Sequence, residues 1–349
     1  MQSLFPIYEH DQAYYQEQLA RYLPPQMIDV HTHIWKQSFQ KAGQIEVQRG
    51  VTWPSRVAAE NSVEDLLWTY QALFPDKQVK PLVFGFPGRQ YDTEKQNNYV
   101  RQAAQAHGLP ALALIEPHWG ASELHALLTA GKFHGCKVYF NYAPAYLPED
   151  ELRIYDFLPP HQLEVIDQLG LIVMLHIPRD KRLRDVVNIA QLLEIDRRYP
   201  HIKLIVAHVG RAYCVEDVGQ ALEQLADTQL LFDFSANTNS EVFYQLIQAV
   251  GSKRILFGSD LPITRMRSTR ICEDGRYINV VPKGLYGDVS QDSHMREVDP
   301  VTEKDITFFL YEELSAMIQA GLKAGLSRVD FADIFYGNAN DLLGGIAKC

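Results

Sequence analysis

Short apolar, strand-like runs recur along the chain, and segments with helical spacing of apolar positions lie between them. The runs are Met27–Ile34, Val79–Phe86, Pro110–Pro117, Gly135–Asn141, Leu171–Ile177, Ile202–Val209, Leu230–Ala236 and Arg254–Asp260. Their lengths and intervals suit strands of βα units. Between the first two, Val63, Leu66, Leu67, Tyr70 and Leu73 make one apolar stripe of a helix. Tyr99–His107, Leu124–Leu128, Leu163–Leu169, Val186–Ile195, Val218–Leu225 and Val242–Val250 read the same way. Gly108, Gly131, Gly170 and Gly251 stand just past helix ends, where a left-handed cap favours glycine.

Eight strands alternating with helices, over about 230 residues from His31 to Asp260, predict an α/β fold of the (β/α)8 TIM-barrel type. Residues 1–349 would form one domain. The rival is a doubly wound open sheet. Against it, the first strand ends in His-Thr-His rather than a glycine-rich phosphate turn, and no Gly-x-Gly-x-x-Gly follows any strand.

Two connections are too long for plain turns, about 35–61 after the first strand and about 261–302 after the eighth. They leave adjacent strands if the barrel closes, and are expected to cap the mouth and form much of the substrate pocket. Trp35, Trp53, Tyr277, Val280, Val281, Leu285 and Tyr286 offer them apolar anchors. An N-terminal helix over about 8–22 and closing helices at Lys304–Ala320 and Arg328–Leu343 complete the expectation.

Composition narrows the function classes. Of 349 residues, 46% are hydrophobic and 22% charged, the balance of a globular chain with an ample core. No run approaches the roughly eighteen apolar residues of a membrane span, and no basic-then-apolar leader opens the chain. Net charge is −10, and the Arg179–Arg184 cluster reads as the solvated start of a helix, so neither nucleic acid nor membrane is expected as a partner. Cys136, Cys214, Cys272 and Cys349 are scattered without a Cys-x-x-Cys pair. They read as free thiols of a reducing, cytoplasmic compartment.

Candidate chemistry sits at the ends of the apolar runs. His31 and His33 close the first, and on an extended strand residues two apart share a face, so both can grip one metal ion. His176, His208 and Asp260 end the fifth, sixth and eighth runs. Each alone could be a satisfied core histidine or a helix cap; their common position at strand ends describes a metal centre at one rim of a parallel barrel. Closure would bring Asp260 beside His31 and His33. Lys137 on the fourth strand, His118 after the third, Trp35 after the first and Arg211 beyond His208 are expected to contact substrate. Arg211 could hold a carboxylate bidentately.

The pattern resembles the amidohydrolase superfamily, in particular the amidohydrolase-2 branch of aminocarboxymuconate-semialdehyde decarboxylase-like proteins. The resemblance rests on Asp-Val-His-Thr-His at 29–33, Leu-His-Ile at 175–177, Val-Ala-His-Val-Gly at 206–210, Phe-Gly-Ser-Asp-Leu-Pro at 257–262 and Gly-Asn-Ala-Asn-Asp-Leu-Leu at 337–343. It implies that His31, His33, His176 and Asp260 bind one divalent ion, with His208 close by as an acid–base or orienting group. Imidazoles with a single carboxylate suit Zn²⁺ best and admit Mn²⁺ or Fe²⁺. A water acidified toward pKa ~7 would be the nucleophile, with Asp260 as proton acceptor. The expected activity is hydrolysis of a small anionic carbonyl compound, such as a lactone or amide. Decarboxylation of an aromatic or enol acid at the same site stays open, as does a catalytically silent binding barrel. A homodimer is implied by resemblance only.

Overall fold

In a computed structural model, which describes residues 4–42 and 53–346, strand β1 (Gln26–His33) pairs in parallel with β2 (Gln78–Phe84). A parallel sheet follows in chain order: β3 (Ala113–Leu114), β4 (Gly135–Tyr139), β5 (Ile172–His176), β6 (Lys203–Val206), β7 (Leu231–Asp233) and β8 (Ile255–Leu256). Backbone hydrogen bonds join the two pieces at both seams. Val83 donates to Pro110 and Leu112 to Val83, each at 3.0 Å, linking β2 to the residues leading into β3. Val30 donates to Phe257 at 2.9 Å, Asp260 to His31 at 2.8 Å and His33 to Leu261 at 2.9 Å, which closes β8 upon β1. The eight strands therefore form a ring, as the alternating pattern predicts.

The strands are short because only their middles need to pair; the apolar runs continue past them as buried chain. Side chains such as Val30, Leu82, Val138, Val173, Leu175, Ile205, Phe232 and Phe257 are wholly buried in one continuous core with the surrounding helices. Each full burial of this kind is worth roughly 1.5–3 kcal/mol. Of the expected stripe, Val63, Leu66, Tyr70 and Leu73 are buried on the inner face of the helix Val63–Leu73 and Leu67 is half-buried against the core; the helix starts under a Ser62–Asp65 capping box. Gly108 and Gly170 close their helices in the left-handed conformation, whereas Gly131 (φ −75°) is right-handed and Gly251 has ψ 168°.

Several boundaries differ from the sequence reading. The Val218–Leu225 segment is helical only over Ala221–Gln224. The closing helix begins at Phe309, because Phe308 is extended, and runs to Lys323. The last segment is α-helical at Arg328–Ala332 and Asn338–Gly344 around a π-helical turn at Asp333–Gly337. The N-terminal helix is Glu9–Tyr14, continued by a π-helical turn to Leu19. Its buried Asp11 accepts from Arg267 at 2.7 and 2.9 Å and from Thr307 at 2.8 Å, anchoring it to the chain beyond β8.

The connection after β8 is not irregular. β9 (Thr269–Glu273) and β10 (Arg276–Pro282) form an antiparallel hairpin, and β11 (Met295–Val298) joins β10 in parallel. Trp53 from the first connection packs with Ile263, Met266, Val281, Val289, Met295 and Phe309, so both caps share a small core of their own. Residues 43–52 of the first cap, and Cys349, lie outside the described residues.

The expectation of free thiols is corrected at two positions. Cys214, after β6, and Cys272, on β9, form a disulfide that ties the rim of the barrel to the cap. Their 58-residue separation leaves no spacing signal in the sequence. Cys136 is a buried free thiol. Among the described residues, no helix is long and apolar enough to cross a membrane.

Candidate active site

The turn Phe257-Gly258-Ser259-Asp260 carries the last residue of the site back to the first strand. Gly258 has to be glycine: a Cβ there would lie 2.8 Å from the Cβ of His31 and 3.3 Å from that of Asp233. Asp260 takes a positive φ of 58°, held by its N–H donating to the His31 carbonyl. Its Oδ1 then lies 3.0 Å from His33 Nε2 and 3.5 Å from His31 Nε2.

The outer nitrogens of both histidines fix which inner nitrogen bears a lone pair. His33 Nδ1 lies 3.0 Å from the Gly85 carbonyl, which only accepts, so Nδ1 carries the proton. His31 Nδ1 lies 3.0 Å from Asp233 Oδ2, a carboxylate that likewise asks for a donor. Both Nε2 lone pairs thus converge on Asp260 Oδ1. Three acceptors this close repel unless positive charge offsets them. The Lys137 ammonium meets His31 Nε2 at 3.2 Å. The donor set of two imidazoles and one carboxylate, gathered with all its atoms within 4.8 Å of one another, fits a divalent transition ion.

A second group, His31, His208 and Asp233, uses the other side of the His31 ring. Here the contacts are hydrogen bonds that orient rather than an opening for an ion. Asp233 accepts from the His208 N–H at 3.0 Å and from the Ser235 hydroxyl. His208 Nδ1 lies 3.1 Å from the Ser235 carbonyl and 2.9 Å from Ser235 Oγ, leaving Nε2 for the cavity.

Burial dominates the titration of these groups. Burial and the Lys137 charge lower His31 to about 3, against the pull of Asp233. Burial likewise lowers His208, and takes His176, which also faces Arg211, well below the usual imidazole value. Burial lowers Lys137 to about 8, opposed by Asp233 and Asp260.

The predicted residues separate into those at the site and those beside it. His31, His33, His176, His208, Asp260, Lys137 and Arg211 all line one cavity of about 560 Å³ at the carboxyl ends of the strands. Caps contribute Trp53, Ile263, Arg276, Tyr277 and His294 to its wall. His176 is not gathered with the other expected ligands. It joins neither close group, its ring stands 5.2 Å from that of His208 and 4.3 Å from Tyr139, and its buried Nδ1 has no partner among the described residues.

Two expected substrate contacts lie elsewhere. Trp35 is buried behind Phe86, its indole N–H bonded to the Ala59 carbonyl. The His118 side chain is 70% exposed and 3.6 Å from Glu116, outside the cavity. The Arg179–Arg184 cluster is not a solvated helix start either: Asp185 caps a helix beginning at Val186, while Arg182 is buried at the cavity wall on Asp217 at 2.7 Å. Sequence reasoning missed the roles of Asp233 and Ser235. A polar pair ending the seventh apolar run was the available signal.

The model of the amidohydrolase family matches residues 28–345. No curated protein matches the chain in sequence. Among solved structures, a probable 2-pyrone-4,6-dicarboxylic acid hydrolase from Acinetobacter baumannii is similar at TM-score 0.55 and 16% identity, over 91% of this chain and 99% of that one. An amidohydrolase from Burkholderia multivorans with bound zinc gives 0.55 and 12%, over 91% and 99%. A 2,6-dihydroxybenzoate decarboxylase from Rhizobium gives 0.51 and 13%, over 92% and 99%.

Proposed function

The chain belongs to the amidohydrolase family, and on that premise we propose that it is a metal-dependent hydrolase of a small, anionic carbonyl compound, a lactone or amide. One observation carries the proposal: the Nε2 atoms of His31 and His33 and the Oδ1 of Asp260 converge as a donor set that suits a divalent cation. A divalent ion held there, Zn²⁺ by preference, would supply Lewis acidity and a more acidic water. Asp260, its Oδ1 directed at the Nε2 atoms of both histidines, is the base that takes the proton of the attacking water. His208, kept neutral by burial, presents Nε2 to the cavity and orients or relays a proton. Arg211 spends Nη1 on the Ile177 and Arg179 carbonyls at 3.4 and 3.2 Å, while its Nη2 makes a long, 4.0 Å ion pair with Glu149 that a substrate carboxylate would replace.

The cavity volume supports a small-molecule substrate. The acidic net charge supports a chain that binds neither nucleic acid nor membrane, and a homodimer is the assembly that the family resemblance suggests. The case for a cytoplasmic location loses one support, because the Cys214–Cys272 bridge belongs with oxidising compartments.

A second reading, non-oxidative decarboxylation of an aromatic acid, is favoured by the likeness to the Rhizobium decarboxylase and by His208, whose Nε2 can take up a proton from the substrate and return it to carbon as carbon dioxide leaves. Zinc-loaded protein assayed on lactone and amide panels beside a hydroxybenzoate panel separates them. Ring opening without gas release is expected; carbon dioxide release with no hydrolysis replaces the first reading by the second.

A further inference from the structure

Covering the cavity does not require a charge in the protein's interior, yet β9 places one there. Arg270 is 9% exposed, and its guanidinium lies over four rings: Tyr277 at 4.4 Å, Phe309 at 4.5 Å, Tyr213 at 4.9 Å and Trp53 at 5.6 Å. Its Nε donates to Asn279 at 2.8 Å and its Nη1 to the Ala236 carbonyl. Among the described residues Nη2 has no partner, and the buried Glu313 faces the Ala236 N–H. A buried charge this sparsely hydrogen-bonded is expensive for folding alone.

The peptide it grips adjoins the histidines. Ala236 sits at φ +51°, a strained region for a residue with a side chain. The preceding Ser235 places Oγ 2.9 Å from His208 Nδ1 and 3.2 Å from His31 Nδ1. Arg270 itself does not line the cavity.

We propose that Arg270 is a positioning residue: by holding the Ala236 carbonyl it fixes the Ser235 turn, and through Ser235 it orients His208 and His31. The cap thereby takes part in the reaction without touching substrate. The inference rests on the reading of this site as catalytic.

The test compares full-length, zinc-loaded Arg270→Gln and Arg270→Lys, each with and without Ser235→Ala. Two readouts are used: kcat and KM on whichever panel substrate turns over, and the ring nitrogen resonances of His208, which need no turnover. Arg270→Gln is expected to lower kcat about tenfold with KM within about twofold, and to shift the His208 resonances. Arg270→Lys, which keeps a donor, should recover part of both and serves alone if the glutamine variant does not fold. In the Ser235→Ala background the effect of Arg270→Gln should shrink below about twofold. A folded Arg270→Gln with wild-type kcat and His208 resonances overturns the proposal, as does an equal loss in both backgrounds. If no panel compound is turned over, the hydrolase reading fails while the resonances still decide the clamp.

Discussion

At the scale of single residues, the site is an exercise in matching donors to acceptors. His31 and His33 were legible because a period of two puts both on one strand face, and Asp260 because it ends the run adjacent to them once the ring closes. His176 satisfied the same sequence criterion but stands with Tyr139 and His208, since strand-end position fixes height in the barrel and not the direction of a ring. Accordingly, His176→Ala should keep at least half of the bound zinc, by plasma emission analysis. His208→Asn should also keep it while lowering kcat about 10²- to 10⁴-fold. Zinc loss in His176→Ala would return that residue to the ligand set.

Glu313 supplies a second residue-scale prediction. Burial, reinforced by Asp29, Asp260 and Asp233, raises its carboxyl far above the usual value against the Ala236 N–H. A carboxyl raised in the folded state binds its proton more tightly there than in the unfolded chain. Its contribution to stability is therefore full below the unfolded value and is lost as pH rises through the folded one. Glu313→Gln should leave stability unchanged near pH 4 and increase it at pH 8, in urea unfolding at both values. An equal effect at both would show the carboxyl to be ionised in the fold.

At the scale of elements, the turn after β8 and the sheet above the mouth are decisive. The turn was readable as Gly-Ser-Asp, though the reason for its glycine, the 2.8 Å approach to His31, was not. Gly258→Ala should destabilise the fold by about 1–3 kcal/mol through overpacking and weaken zinc binding with it. Unchanged zinc affinity in that variant would mean that His31 does not depend on this contact. The cap was legible as a long segment with aromatic anchors, but its strands β9, β10 and β11 were not, because Thr269–Glu273 and Met295–Val298 alternate weakly and carry charge. The disulfide was hidden for a different reason: its partners come from the barrel and the cap. Closing a 58-residue separation, it should add about 4 kcal/mol of stability. A thiol reductant should lower the urea midpoint by a corresponding amount, in parallel with Cys272→Ser. An unmoved midpoint with both thiols titrating as free would contradict that.

At the scale of the whole molecule, the sequence could reveal the barrel because strand and helix alternate with near-uniform spacing and no strand ends in a phosphate-binding turn. Closure itself depends on hydrogen bonds from Val30, His33 and Asp260 to residues more than two hundred positions away, which a local pattern cannot contain. Those same bonds bring the two histidines to the aspartate, so the ring and the site stand or fall together. The most direct measurement is the zinc-to-protein ratio after equilibration with the metal and dialysis, for the wild type beside His33→Ala and Asp260→Ala. The expected result is one zinc per chain in the wild type and nearly none in either variant. A wild type that retains no zinc, or variants that retain as much as it does, would contradict the metal centre and the hydrolytic function built on it.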